Sequence, residues 1–264
     1  MQDLIVTFIQ SDLFWNNHPA NLQAFEAKIL SIEESTNVII LPEMFNTGFV
    51  VEPETVNEQA AEESLSWMRK MAEIKNAVVC GSMIVKEDQN YYNRFFWVLP
   101  DGSYDNYDKR HLFSLGGEHH HFTSGRQSKI IEYKGWKIKP LICYDLRFPV
   151  WAKNTYQNGA YEYDLLIYVA NWPVARVHAW KSLLVGRAIE NQSYAIGVNR
   201  IGKDGRGTSH SGCSGIVEPK GEWISEEVEN IESVQTIKLN KVDLDEYRQK
   251  FNFALDWDQF NIQN

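Results

Sequence analysis

Eight short apolar runs recur along the chain: Leu4–Ile9, Val38–Leu41, Ala77–Val85, Phe95–Leu99, Ile138–Cys143, Leu165–Ala170, Tyr194–Val198 and Val234–Leu239. All are of strand length and most are rich in valine and isoleucine, so they are expected as β-strands. Between some of them the apolar residues repeat every three or four positions. Pro19–Ser35 carries Leu22, Phe25, Ile29 and Ile32; Glu62–Lys75 carries Leu65, Met68, Met71 and Ile74; His178–Asn191 carries Trp180, Leu183, Leu184 and Ala188. Such stripes suit helices laid on a sheet. Asn17 ahead of Pro19 is a fitting helix start, because a polar cap and an early proline both suit the unpaired first-turn N–H groups. Strands alternating with helices confine the chain to the α/β class. The turn-like pieces Pro100-Asp101-Gly102 and Glu218-Pro219-Lys220-Gly221 imply some antiparallel neighbours, hence a mixed sheet. No Pro/Gly/Ser-rich linker, charge block or fixed-period repeat interrupts residues 1–264, which are read as a single domain.

Composition enters by exclusion. With 264 residues and 44% hydrophobic content a sizeable core is available without disulfides or a structural metal. A net charge of −9 repels phosphate backbones and anionic lipid, so no nucleic-acid or membrane partner is expected. Cys80, Cys143 and Cys213 form no CxxC, which argues against a zinc knuckle or a disulfide framework and for a reduced cytoplasm. The N-terminal apolar stretch is too short and wrongly flanked for a signal peptide. No run approaches membrane-spanning length.

Three segments carry candidate chemistry. In Val38-Ile39-Ile40-Leu41-Pro42-Glu43-Met44-Phe45 a carboxylate leaves a buried strand, and desolvation there raises a carboxyl pKa toward the range of a general acid or base. In Tyr107-Asp108-Lys109-Arg110-His111-Leu112-Phe113 the cations suggest an anion-binding patch. In Ile142-Cys143-Tyr144-Asp145-Leu146-Arg147-Phe148-Pro149 a strand ends at a thiol on a sharp turn, where the next backbone N–H can meet an anion. Each has a bland alternative: a solvated loop acid, a hydrated turn, a structural cysteine. Cys80 and Cys213 are read as structural. His119, His120 and His121 are consecutive and cannot easily converge on one metal ion, so no metal site is assigned. Gly202, Gly205 and Gly207 make no dinucleotide or phosphate loop, and Gly212-Cys213-Ser214-Gly215 is not a serine-hydrolase elbow.

Taken together, Leu41-Pro42-Glu43, Asp108-Lys109-Arg110-His111 and Ile142-Cys143-Tyr144-Asp145 resemble the nitrilase superfamily of carbon–nitrogen hydrolases. The likeness continues through Tyr168-Val169-Ala170-Asn171-Trp172-Pro173 and Arg187-Ala188-Ile189-Glu190-Asn191-Gln192, nearly the whole chain. Within the superfamily it looks most like the bacterial omega-amidases, which hydrolyse the terminal amide of 2-oxoglutaramate and 2-oxosuccinamate. The resemblance implies an α-β-β-α sandwich that pairs into a homodimer, needs no cofactor and forms a thioester on Cys143. It casts Glu43 as proton carrier, Lys109 with the Tyr144 N–H as the oxyanion site, and Glu118 as the residue that orients the lysine.

The thiol pKa is then expected to be lowered by Lys109 and a backbone N–H. For a carboxylated amide substrate Arg176 is the candidate cation, with Trp172 and Phe45 as pocket walls. Arg147 is expected instead to pair structurally with Asp145. The apolar C-terminal segment Tyr247–Phe260 is expected to pack either on a second subunit or back on its own. A nitrile, N-carbamoyl or other amide substrate is the competing reading within the same chemistry. A non-catalytic binding module on the same fold is the competing class.

Overall fold

The computed structural model describes residues 2–262. One sheet is built from β1 (Leu4–Gln10), β2 (Val38–Ile40), β3 (Val78–Glu87), β4 (Asn90–Val98) and β5 (Tyr104–Asp108), with the late strand β15 (Ser233–Leu239) antiparallel on β1; α1 (His18–Leu30) and α2 (Ala60–Lys75) connect its parallel strands. The second sheet has the order β14-β11-β10-β7-β6, from β6 (Ile131–Tyr133), β7 (Trp136–Ile142), β10 (Leu165–Ala170), β11 (Tyr194–Asn199) and β14 (Gly215–Val217). Between its strands run α3 (Pro149–Ala152), the small hairpin of β8 (Tyr156–Gln157) and β9 (Ala160–Tyr161), α4 (Val177–Asn191), and a second hairpin of β12 (Ile201–Lys203) and β13 (Ser209–Ser211). A last helix, α5 (Lys241–Lys250), follows β15.

The layers follow from the side-chain pattern. Leu4, Val6, Phe8, Val38, Ile40, Val78 and Cys80 face Ile138, Leu165, Ile167 and Ile196 across the space between the sheets. The alternate residues Ile9, Ile39, Leu41 and Val79 pack outward on Phe25 and Ile29 of α1 and Met68 and Met71 of α2. Trp180, Leu184 and Ala188 of α4 cover the other sheet. The result is an α-β-β-α sandwich with mixed sheets. Every residue of β10 is buried, as a central strand covered on both faces requires.

Asn17 caps α1 as its position suggests, its side chain accepting from the Ala20 N–H at 3.2 Å. That helix ends at Leu30, short of Ser35, where the polar run Glu33-Glu34-Ser35-Thr36-Asn37 has no apolar stripe to bury. Pro100-Asp101-Gly102 does turn between antiparallel β4 and β5. α5 has no apolar stripe to reveal it. It is started by the Asn240 side chain, which accepts from the N–H groups of Val242 and Asp243, and is anchored by Lys241 and Arg248 to the buried Asp164. Beyond it the tail folds back on its own subunit: Gln192 donates to the Phe251 carbonyl and Trp257 packs edge-on against Tyr161. Phe253 and Leu255 stay exposed.

Candidate active site

The sandwich brings the carboxyl ends of β2, β7 and β10 to one crevice, the place where α/β sheets leave backbone and side-chain groups free for ligands. β2 delivers Glu43. After Leu41, whose N–H still pairs with the Cys80 carbonyl, the chain turns at Met44, which has a positive φ of 44° and is pinned by Ser82 Oγ accepting its N–H at 3.0 Å. This turns the Glu43 carboxylate inward and buries it fully. Its Oε1 accepts from Lys109 Nζ at 2.9 Å and Asn93 Nδ2 at 2.8 Å, and its Oε2 accepts from the Asn171 N–H at 2.8 Å. Asn171 Nδ2 also donates to the Glu43 carbonyl at 2.6 Å, so the exit of β10 clamps the exit of β2.

Lys109 directly follows β5 and is buried with its ammonium between two carboxylates. Besides Glu43 it donates to Glu118 Oε1 at 3.0 Å and Oε2 at 2.9 Å, and Glu118 is held in turn by the Phe113 N–H at 2.6 Å. Burial opposes the lysine's charge, but the carboxylates of Glu118 and Glu43 outweigh it and hold the ammonium above its ordinary pKa. Burial pushes the Glu118 carboxyl up, against the pull of Lys109 and with the push of Glu43. Lys109 is therefore kept as an ammonium, flanked by two carboxyl groups, at the crevice.

β7 delivers Cys143 on a sharp elbow with a positive φ of 43°, a conformation that costs an L-residue on the order of 1–3 kcal/mol and persists only where neighbours over-determine it. Asp145 does so. Its fully buried carboxylate accepts from the Ile142 N–H at 3.0 Å and Tyr107 OH at 2.8 Å, and from the His111 N–H at 3.0 Å. It also lies 2.8 Å from His111 Nδ1. Asp145 thus ties the elbow to residues on either side of Lys109. We expect Asp145→Asn to lower kcat about 100-fold while moving KM little, because it loosens the geometry of nucleophile and lysine together. Steady-state kinetics on folded variant protein tests this, and a change confined to KM would contradict it.

The Cys143 side chain is half-buried at the crevice, facing Glu43 and the Asn171 N–H. Contrary to the expectation of a lowered pKa, burial and the nearby Glu43 charge push the thiol well above its ordinary value, outweighing Lys109 and the Asn171 N–H. At rest the sulfur is a thiol beside a carboxylate.

Lys109, Cys143, Tyr144, Asn171 and Trp172 line a cavity of about 170 Å³. Phe49, Phe113, Arg147, Arg176, Asp204, Arg206 and His210 line it as well. Trp172 is a wall, fixed by its Nε1 donating to the Arg176 carbonyl at 2.7 Å. Phe45 is not: it is fully buried against Phe25 and Trp67 behind Glu43, and Phe49 takes the wall position. The expected Arg147–Asp145 pair is also corrected. Asp145 is saturated by its other partners, and the Arg147 guanidinium lies over Trp172 at 4.9 Å, facing the cavity. Arg176 lies over Phe113 at 5.3 Å. Arg206 is held by both oxygens of Glu52 at 2.7 Å. Among the described residues, Arg147 and Arg176 form no ion pair.

Sequence reading missed Asn93, Tyr107 and His210, took His111 only as part of a cationic patch, and gave Asp145 the wrong partner. A polar asparagine inside an aromatic strand was the one available signal, for Asn93. His210 is buried, and burial with the Arg200 charge pushes its pKa down to about 4. Above the ordinary imidazole value both folded and unfolded chains hold it neutral. As pH falls from about 6.5 toward 4 only the unfolded chain gains the proton, so stability drops by about 3 kcal/mol across that window. His210→Gln is expected to flatten this part of the urea-midpoint profile; an identical acid slope would refute it.

The His119 and His120 rings lie 3.8 Å apart, tilted by 40°, and His121 lies 3.6 Å from Glu54. Among the described residues no three metal-binding side chains converge. No helix described is long and apolar enough to cross a membrane.

A family model for the carbon-nitrogen hydrolases matches residues 5–249. The chain is 41% identical over 262 residues to the omega-amidase YafV of Escherichia coli strain K12, covering 99% of this chain and 100% of that protein. It is 31% identical over 224 residues to the 2-oxoglutaramate amidase of Bacillus subtilis, covering 84% of this chain and 85% of the relative. The crystal structure of a CN-hydrolase superfamily protein from Xanthomonas campestris, with an arsenic adduct in its active site, superimposes with a TM-score of 0.92 at 35% identity over 100% of both chains.

Proposed function

The chain belongs to the carbon-nitrogen hydrolase family and is a hydrolase of carbon–nitrogen bonds; from that premise we propose that it is an omega-amidase, releasing ammonia from a small 2-oxo dicarboxylic acid monoamide such as 2-oxoglutaramate or 2-oxosuccinamate. The observation that carries the reading is a small cavity lined by the Cys143 thiol, by the Lys109 ammonium that binds the Glu43 carboxylate behind it, and by the guanidinium groups of Arg147 and Arg176, which have no ion pair among the described residues.

In this reading the thiol proton passes to Glu43 as sulfur attacks the amide carbonyl, so the nucleophile forms only when substrate is in place. A raised thiol pKa next to a carboxylate suits that order better than a resting thiolate. The oxyanion of the tetrahedral intermediate meets the Lys109 ammonium and the Tyr144 N–H. Such a donor contributes about 3–4 kcal/mol of transition-state stabilisation. Glu43 then gives its proton to the departing nitrogen, ammonia leaves, and a thioester remains. A water molecule loses a proton to Glu43, attacks the thioester, and the acid departs as sulfur regains its proton. Glu118 holds Lys109 in place throughout.

The substrate carboxylate is assigned to Arg176 together with Arg147, with Trp172 beside them. Comparing kcat/KM for 2-oxoglutaramate with that for an uncharged amide of equal length tests the assignment. We expect a preference of about 100-fold or more for the charged substrate, reduced mainly through KM in Arg147→Met and Arg176→Met. Equal rates on the uncharged amide, or turnover of a nitrile or N-carbamoyl compound in its place, would point to another member of the family's chemistry. We also propose a homodimer in a reducing, cytoplasmic setting, supported by the exposed Val150, Phe253 and Leu255 and by the free thiols; light scattering in solution decides the first.

A further inference from the structure

A second cavity, of about 290 Å³, lies beneath the C-terminal segment and away from Cys143, between the loop before β6, the middle of β7 and the residues that follow α3. Its most unusual feature is Lys139. A lysine in a central strand is rare inside a protein because its charge loses solvation. Yet Lys139 is only 3% exposed, and it lines the cavity with no hydrogen bond to its amine among the described residues. The nearest charge is the Glu162 carboxylate, 3.9 Å away and beyond hydrogen-bonding distance, and the Tyr163 ring lies 5.4 Å off.

Two further cations border the same space. Lys153 donates to the Glu190 carbonyl at 2.7 Å and rests on the Trp257 ring; the Glu190 carboxylate acts on its charge, but among the described residues it forms no ion pair. Arg126 reaches the rim and has no ion pair among the described residues. The Ser128 and Thr155 hydroxyls supply neutral donors. Among the described residues, three cations and one carboxylate thus line the cavity, in a protein whose overall charge is −9. Burial lowers the pKa of Lys139, against the pull of Glu162, and brings that of Lys153 to about 8. An anion between them offsets that loss of solvation with charge-assisted hydrogen bonds.

We propose that this cavity is a binding site for a small oxyanion, a carboxylate or a phosphate, held by Lys139 and Lys153 with Arg126 at the mouth. Inorganic phosphate and succinate are suitable probes, the first for a phosphate and the second for a carboxylate ligand.

The full chain is titrated with each probe by calorimetry. In parallel, labelling of Lys139 by an amine-reactive ester is followed by mass spectrometry. The expected result is about one site per chain, at least about 10-fold weaker in Lys139→Met and in Lys153→Met, and unchanged in Arg176→Met, which removes a cation of the catalytic cavity only. Protection of Lys139 from labelling by whichever probe binds is expected as well and reads the site without any variant. Circular dichroism establishes that the variants are folded. Absence of binding by both probes up to about 10 mM, equal affinity in Lys139→Met, or loss of binding in Arg176→Met alone would each overturn the proposal, as would a structure of the assembly with a partner's side chain filling the cavity.

Discussion

Replacing Cys143 by alanine is expected to abolish ammonia release, with kcat down by at least about 10⁴-fold, while the protein remains folded. The reasoning rests on what the thiol does at rest. Its pKa is raised, so at neutral pH it carries no charge that the surrounding ammonium and carboxylates rely on. Removing one neutral sulfur from a half-buried position costs about 1 kcal/mol, within the ordinary range for a point substitution. Chemistry and stability therefore separate. The wild-type enzyme should show a mass increase equal to the acyl group when a slow substrate is mixed and quenched, and the alanine variant none. Ammonia release at wild-type rates from Cys143→Ala would sink the covalent mechanism outright, because neither Cys80 nor Cys213 lines the cavity.

Lys109→Met should fail in both respects. The ammonium donates to three carboxylate oxygens inside the protein, and its loss leaves Glu43 and Glu118 buried without a cation. Breaking a buried ion pair from one side costs about 3–5 kcal/mol, which for a chain of this size lowers Tm by about 10 °C. Activity should fall by about 10³-fold or more, since the oxyanion loses its charged donor. The two effects can be pulled apart. Adding Glu118→Gln removes one uncompensated charge and should restore several degrees of Tm without restoring activity. Stability of the single variant should also improve as pH falls, because burial already pushes the Glu118 carboxyl up and it takes a proton readily once the lysine is gone. An unchanged Tm in Lys109→Met would mean that the carboxylates are hydrated or already neutral.

Much of the architecture was legible from residue order. The runs Val38–Leu41, Ile138–Cys143 and Leu165–Ala170 announced strands, and all three prove to be neighbours of the crevice. Glu43 and Cys143 stood out because each stands at the exit of such a run, where a buried strand must surrender its backbone to solvent or ligand. Lys109 was harder. It follows β5, a strand with few apolar residues, and only its spacing within a familiar set of motifs marked it. The helix α5 and the hub role of Asp145 were invisible, since the partners that define them lie mostly 34 to 84 residues away in the chain and polar groups announce no periodicity.

The order of side chains along the chain determined which reactive groups are available and that they sit at strand exits, because alternation of apolar residues is a local property. Their charges, and the identity of the cations opposite them, were decided only by the tertiary structure. Whether a sulfur rests as thiol or thiolate depends on how completely water is excluded and on which carboxylate stands nearest. Arg147 turned from an expected structural partner of Asp145 into a cavity residue for the same reason: Asp145 was already filled by donors from β5 and the residues that follow it. Distances of a few ångströms between distant segments set these energies, and such distances exist only after the two sheets have packed.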